Sequence, residues 1–151
     1  MELSISCQTL KDADTFSKSD PRVRVAIVDA SSHRVVKNLG TTETIMNNLN
    51  PVFNKKVACP HFLPPTQILE FVVTDSDATI GDSLGKAYMT LESIRMGGMA
   101  GCNMMLGKGN GRITVTGHQG GMGKLQLTLR GAQIKSVDFL GKSDPYVTVL
   151  Q

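Results

Sequence analysis

A short acidic loop between two strand-like segments constrains this chain more than any other feature. Asp14 and Asp20 enclose five residues, and Pro21 follows directly. Apolar residues occupy every second position at 2–7 before the loop and at 22–27 after it. This alternation predicts two half-buried strands, with the proline at a strand start, where a missing N–H costs little. Both carboxylates are therefore expected at one end of a β-sheet.

The same loop occurs a second time near the end of the sequence. Asp138 and Asp144 repeat the six-residue spacing and the Lys-Ser-Asp-Pro ending, and an alternating run follows again. A third acidic cluster contains Asp75, Asp77 and Asp82 and comes after a strand-like run. A single loop of Asp, Ser and Pro is commonly only a turn. The repetition, rather than the composition of one loop, indicates an ion site.

The order of these motifs resembles the C2 domains of the copine family. The resemblance rests on Asp14-Thr-Phe-Ser-Lys-Ser-Asp-Pro, on Met46-Asn-Asn-Leu-Asn-Pro, and on Asp75-x-Asp77 with Asp82 before Leu84-Gly85. It covers residues 1–117, and residues 124–151 resemble the truncated start of a second such domain, joined by a glycine-rich linker at 118–123. The resemblance implies a calcium-dependent phospholipid-binding module. Its predicted metal ligands are Asp14, Asp20, Asp75, Asp77 and Asp82, with Asp138 and Asp144 in a second, incomplete metal loop.

The expected fold class is all-β. Eight strands separated by Pro, Gly, Asn and Ser clusters predict an eight-stranded antiparallel β-sandwich. The strands are expected near 2–8, 21–28, 34–38, 55–59, 68–74, 85–91, 103–106 and 111–117. Since the first strand leads straight into the first aspartate loop, the last strand must complete the sandwich, which is the type II order of C2 domains. A helical turn is expected at 91–95, ended by Gly97 and Gly98, and residues 124–151 are expected to add a C-terminal β-hairpin.

The residue types favour calcium over other metals. Calcium takes about six to eight oxygen ligands in irregular geometry, so carboxylates from separate loops suit it. The three histidines and three cysteines are scattered, which disfavours zinc. A helix-loop-helix calcium loop starting at Asp12 or Asp75 is excluded, because the sixth and twelfth positions lack the required Gly and Glu.

The charges suggest how calcium would act on membrane binding. Five aspartates carry about −5, and two calcium ions would leave about −1, which removes the repulsion of anionic lipid. Phe16 and Ile80 are predicted at the loop tips, where they would enter the lipid interface, although Phe16 packing on its own loop is an equal alternative. The basic residues expected to face the membrane are Arg22, Arg24, Lys55 and Lys56. A merely solvated polar strand face is the favoured alternative for them.

Other functional classes find less support. Residues 101–109 are similar to a phosphate loop, but five residues separate the glycines instead of four. No catalytic set has motif support, so no enzyme activity is expected, and a net charge of +3 does not argue for nucleic acid. The odd number of cysteines, without close pairing, and the lack of a signal-peptide pattern predict a cytoplasmic protein. The protein is expected to be recruited peripherally to membranes, in particular the plasma membrane, when calcium rises.

Two hypotheses about partners stay open. The first is calcium-dependent docking on anionic phospholipid membranes, and the alternative is a calcium-independent protein–protein interaction module on the same fold. Protein partners are expected mainly through regions beyond this sequence. A two-stranded hairpin is marginally stable in water, so residues 124–151 are expected to lie against the first domain or to form a strand-exchanged dimer.

Overall fold

The chain forms two antiparallel sheets packed face to face. The computed structural model describes residues 1–12, 18–76, 83–107 and 109–118. Its strands are β1 (Glu2–Gln8), β2 (Pro21–Asp29), β3 (Val35–Thr41), β4 (Val57–Ala58), β5 (Gln67–Asp75), β6 (Ser83–Met89), β7 (Cys102–Met105) and β8 (Arg112–His118). One sheet, sheet A, has the order β4-β1-β8-β7, and the other, sheet B, has the order β3-β2-β5-β6. The all-β sandwich predicted from the sequence is confirmed.

The first and last described strands lie side by side. β1 pairs with β8 over its whole length, from Glu2 opposite His118 to Gln8 opposite Arg112. The last strand thus completes the sheet that the first strand begins, which confirms the predicted circular order. The predicted hairpin at 124–151 lies outside the described residues, and so the proposed domain boundaries stay a prediction.

Alternating apolar residues from both sheets form the core. Leu3 and Ile5 of β1, Val23 and Val25 of β2, and Phe71 of β5 are each no more than 2% exposed. Because successive side chains of a strand point to opposite faces, the intervening polar residues face outward. The period of two seen in the sequence therefore corresponds to burial of one face of each sheet.

A short helix follows β6 at the end of the sandwich opposite the acidic residues. Helix α1 (Leu91–Met96) begins after Thr90, whose hydroxyl accepts a hydrogen bond from the Ser93 amide at 3.0 Å. This is N-capping by a threonine side chain, which satisfies a backbone donor of the first turn. The helix ends at Gly97, as the sequence predicted. In the described ranges, no helix has the length and apolarity to cross a membrane.

Candidate functional site

Asp20 and Asp75 meet at one end of sheet B. Asp75 is the last residue of β5 and pairs with Pro21, the first residue of β2, so Asp20 lies directly beside it. The Asp20 amide donates a hydrogen bond to Asp75 Oδ1 at 3.0 Å, and the Ser76 amide donates to the Asp20 carbonyl at 3.0 Å. Both aspartates are nearly fully buried, at 3% and 2% exposure. The sequence predicted Asp20 and Asp75 as ligands of one metal site, and the register of β2 and β5 brings the two residues into contact.

A third segment, which sequence reasoning did not assign to the site, orients Asp20. The Asn47 amide donates to Asp20 Oδ1 at 2.6 Å, and the Asn47 side chain accepts a hydrogen bond from the Lys18 amide at 3.3 Å. Asn47 has a φ of +52°, in the left-handed region that Asn tolerates better than most residues. The signal was present in the sequence, because Asn47 belongs to the Met46-Asn-Asn-Leu-Asn-Pro motif.

The same segment is anchored to both sheets. In sheet B, the Ile45 amide donates to the Pro21 carbonyl at 3.1 Å. Beyond the end of β1 in sheet A, the Leu10 amide donates to the Leu49 carbonyl at 2.9 Å, and the Thr9 amide donates to Asn50 Oδ1 at 2.8 Å. Residues 42–50 therefore form a brace across this end of the sandwich, and the brace positions the Asp20 carboxylate.

The donor chemistry of this end fits a calcium ion. Asp20 and Asp75 offer carboxylate oxygens, which are the ligand type that calcium prefers. The other predicted ligands Asp14, Asp77 and Asp82, the predicted loop-tip residues Phe16 and Ile80, and the second-loop residues Asp138 and Asp144 all lie outside the described residues. Within the described ranges alone, no group of three or more His, Cys, Asp or Glu side chains is arranged to hold a metal.

The two arginines predicted to face the membrane differ in their surroundings. Arg22 is exposed, and its Nε atom donates to Thr74 Oγ1 at 3.4 Å. Arg24 forms a salt bridge of 2.8 Å with Glu70, whose side chain is only 5% exposed, and also donates to Asn38 Oδ1 at 3.2 Å. The charge of Arg24 is therefore largely balanced within the protein, which the sequence did not reveal.

Glu70 connects this ion pair to Tyr88 on the neighbouring strand. The Tyr88 hydroxyl donates to Glu70 Oε2 at 3.3 Å. Loss of solvent around the phenol and the nearby negative charge of Glu70 both raise the pKa of Tyr88. The ring of Tyr88 also stacks on His33 with 4.4 Å between ring centroids. The outer face of sheet B therefore carries a polar network rather than a uniform basic surface.

The predicted basic residues do not share one face. Lys56 borders a cleft on the outer face of sheet A together with Ser4 and Thr116, and its Nζ lies 3.6 Å from a carboxylate oxygen of Glu2. Lys55 is exposed and donates its amide to Glu43 at 3.1 Å. Since the outer faces of the two sheets point in opposite directions, Arg22 and Lys56 cannot contact the same flat surface.

Comparisons with known proteins agree with this geometry. Residues 3–105 match the family model described as "C2 domain". The chain is 33% identical to Copine-A of Dictyostelium discoideum over 156 aligned residues, which include 99% of the chain and 26% of that protein. The chain thus spans about a quarter of the length of this curated relative.

Solved structures show the same fold. A C2 domain of plant Extended Synaptotagmin 1 superposes with a TM-score of 0.57 at 21% identity, covering 76% of this chain and 88% of that one. A two-domain C2 structure of Extended-Synaptotagmin 2, solved calcium bound, superposes with a TM-score of 0.54 at 21% identity, covering 76% of this chain and 43% of that one.

Proposed function

The chain belongs to the C2 domain family and is a copine-like member of it, and on that basis we propose that it binds anionic phospholipid membranes in a calcium-dependent manner. The observation that carries the proposal is the contact of Asp20 and Asp75, two buried aspartates that meet at one sheet end through the Asp20 amide and the Asp75 carboxylate. Burying acidic side chains is costly unless a cation or hydrogen bonds compensate. A calcium ion at this end would supply that compensation.

The calcium ligands in this proposal are Asp20 and Asp75, together with Asp14, Asp77 and Asp82 from the adjoining loops. Bound there, calcium would neutralise carboxylate charge and so remove the repulsion of anionic headgroups. The chain's own contribution is to orient the carboxylates, which the amides of Asn47 and Asp20 do for Asp20 and Asp75 respectively.

Membrane contact is proposed through the same end of the molecule. Phe16 and Ile80, on the loops that also carry the aspartates, would enter the lipid interface. Arg22 is exposed and close to this end, so it is the best placed of the basic residues to attract anionic lipid. Arg24 contributes less, because Glu70 balances its charge. The protein would thus be cytoplasmic and would move to membranes, including the plasma membrane, when calcium rises.

The alternative is a calcium-independent protein–protein interaction module. One observation favours it: each carboxylate already accepts a backbone hydrogen bond, so Asp20 and Asp75 can stabilise the loops without a metal. In both cases the chain is a binding module rather than an enzyme. Further protein partners would bind through parts of a longer protein.

Sedimentation with vesicles tests the proposal. The chain is mixed with phosphatidylserine-containing vesicles in calcium, in magnesium and in chelator, and thermal unfolding is measured under the same conditions. We expect capture in calcium alone and a higher Tm in calcium, because a ligand at about 100 times its Kd stabilises the folded state by about 2.7 kcal/mol. Equal capture in calcium and chelator, with an unchanged Tm, would support the interaction module instead.

A further inference from the structure

The brace at 42–50 carries one large apolar side chain that faces the solvent. Met46 is 71% exposed, whereas Ile45 and Leu49 of the same segment are partly buried and pack against the core. A single exposed methionine at an arbitrary surface position is ordinary. Whether this one has a function therefore depends on where the fold places it.

Met46 lies directly beside the proposed calcium site. The Asn47 amide, one residue further along the chain, donates to Asp20 Oδ1 at 2.6 Å. On the other side, the Ile45 amide donates to the carbonyl of Pro21, the residue after Asp20, at 3.1 Å. Both neighbours of Met46 are thus bound to the segment that carries Asp20, which puts the methionine at the aspartate end of the sandwich.

The backbone around Met46 is fixed, so its exposure is a property of the fold. The Asn48 amide donates to the Ser19 carbonyl at 3.2 Å, and the Lys18 amide donates to Asn47 Oδ1 at 3.3 Å. Turning Met46 into the core would require these bonds to break. An apolar side chain that the fold keeps in water gains free energy when an apolar phase covers it.

Exposed cations lie next to this methionine. Lys18 is exposed, and its backbone contacts the brace through Asn47. Arg22 is also exposed and follows Pro21, which is bound to the brace as well. An anionic lipid bilayer matches this combination, because an apolar side chain enters the hydrocarbon boundary while neighbouring cations stay at the level of the phosphates.

We propose that Met46 inserts into anionic phospholipid membranes when calcium fills the aspartate end. The brace is then a third membrane-contacting segment, beside the loops that carry Phe16 and Ile80. This inference rests on the proposed calcium-dependent membrane binding and adds to it a residue that the sequence did not indicate. Because Asn47 of the same segment holds Asp20, the brace both orients a calcium ligand and contacts the lipid.

Tryptophan fluorescence measures the depth of position 46 directly. The chain contains no tryptophan, so Met46→Trp introduces a single reporter. In calcium, vesicles containing phosphatidylserine should shift its emission to the blue, and phosphatidylcholine brominated on the acyl chains should quench it. Chelator should reverse both effects. Phe62→Trp, at a residue that is 74% exposed, is the matched control.

Phe62 suits this control because it lies at the opposite end of the sandwich. The Arg95 guanidinium of helix α1 donates to the His61 carbonyl, which holds the chain next to Phe62 against that helix. Helix α1 follows Met89, the last residue of β6, at the end away from the aspartates. The emission of Phe62→Trp should therefore remain that of a tryptophan in water when the chain binds vesicles.

Serine variants measure how much Met46 contributes to binding. Met46→Ser should weaken partition onto the same vesicles in calcium by about tenfold, the lower end of what burial of a methionine provides. Met46→Leu keeps an apolar side chain and Phe62→Ser changes the opposite end, so both should partition as the parent chain does. Without lipid, Met46→Ser should bind calcium as tightly as the parent chain in calorimetry, because the Asn47 amide still reaches Asp20.

The outcomes separate this inference from the function on which it rests. If the parent chain binds vesicles in calcium while the Met46→Trp emission stays unquenched, or while Met46→Ser binds as tightly as the parent, the proposed function stands and Met46 does not insert. A loss of lipid-free calcium affinity in Met46→Ser would also overturn the inference, since Met46 would then act on the site itself. A blue shift that needs no vesicles and grows with protein concentration would identify a second copy as the group that covers Met46. If the parent chain does not bind vesicles, both proposals are wrong.

Discussion

The backbone amide of Asp20 lies 3.0 Å from Oδ1 of Asp75 and donates a hydrogen bond to it. One aspartate therefore orients the carboxylate of the other, although 55 residues separate them in the chain. Because both side chains are buried, this bond connects the stability of the loop end with the arrangement of the proposed calcium ligands. Substitutions of Asp75 that keep or remove this acceptor oxygen distinguish its effect on stability from its proposed effect on calcium binding.

Asp75→Asn should weaken calcium binding and preserve the fold. The asparagine Oδ1 still accepts the Asp20 amide, but the negative charge is lost, so calcium affinity should fall at least about tenfold, which corresponds to ~1.4 kcal/mol. Asp75→Ala also leaves the buried Asp20 amide without its acceptor and should cost a further 1–3 kcal/mol of stability, roughly. Titration calorimetry and urea unfolding measure the two effects.

Asp29→Asn is the matched control for Asp75→Asn. Asp29 lies at the opposite end of β2, and this variant removes the same charge from the chain while leaving the proposed site intact. Calcium affinity should remain near that of the parent chain. If Asp75→Asn binds calcium as tightly as Asp29→Asn does, the assignment of the site is wrong.

The left-handed backbone conformation of Asn47 should make the stability of the protein depend on which residue replaces Asn47. Asn47→Ala and Asn47→Gly both remove the acceptor for the Lys18 amide. At a φ of +52°, alanine should lower the stability by roughly 1–2 kcal/mol through backbone strain, whereas glycine adopts this conformation without strain. Urea unfolding should therefore find the glycine variant more stable. At Asn54, which is not among the positive-φ residues, the order should reverse, because alanine restricts the unfolded chain. Equal stability of the two Asn47 variants would contradict the strain at this position.

Arg24 should act mainly on stability rather than on membrane binding. Arg24→Ala leaves the buried Glu70 carboxylate without its cation and should cost roughly 1–3 kcal/mol. Adding Glu70→Gln removes the buried charge and should recover part of that loss in a double-mutant cycle. Arg22→Ala, at an exposed position of the same strand, should change stability by no more than about 0.5 kcal/mol. Additive effects of the Arg24 and Glu70 substitutions would mean that the two residues do not interact.

Cys7 should make the protein less stable in alkali. Burial raises the pKa of the Cys7 thiol from 9.0 to about 12, because the thiolate is poorly solvated in the core. Above pH 9 the unfolded chain loses this proton while the folded chain keeps it, so stability is present below pH 9 and falls as pH rises toward 12. The expected slope is about 1.4 kcal/mol per pH unit within that window.

Urea unfolding between about pH 8 and pH 11 measures this slope against that of Cys7→Ala. The comparison isolates the thiol, because lysines and tyrosines titrate in both proteins. The variant should lose stability less steeply with rising pH than the parent chain. Parallel slopes would show that Cys7 ionises equally well in the folded and unfolded states.

Phe16 should contribute to membrane capture. Phe16 lies on the first aspartate loop, outside the described residues, and its insertion is proposed to contribute up to about 1.5–3 kcal/mol. Phe16→Ala should therefore reduce capture by anionic vesicles in calcium, and high salt should reduce it further by screening the basic residues. Phe62→Ala is the control, since Phe62 is 74% exposed at the opposite end. If both substitutions reduce capture equally, the lipid does not bind specifically through the aspartate loops.

The strands and their order could be predicted from the sequence because they depend on local patterns. Alternating residues such as Leu3, Ile5 and Cys7 predict a strand with one buried face, whatever its neighbours are. The motifs likewise grouped Asp20 and Asp75 as ligands of one predicted site, through their resemblance to a C2 domain. The helical turn ending at Gly97 followed from an equally local signal.

Only the tertiary structure decided which groups meet. The bond between Asn47 and Asp20 joins residues 27 positions apart, and the salt bridge between Arg24 and Glu70 joins residues 46 positions apart. Such contacts depend on the register between strands and on the path of the connecting segments, which no local pattern encodes. For the same reason the sequence grouped Lys56 with Arg22, although the sandwich places them on opposite outer faces. Residue types and their spacing thus determined the strands, and the packing of two sheets determined that Asp20, Asp75 and Asn47 meet at one end.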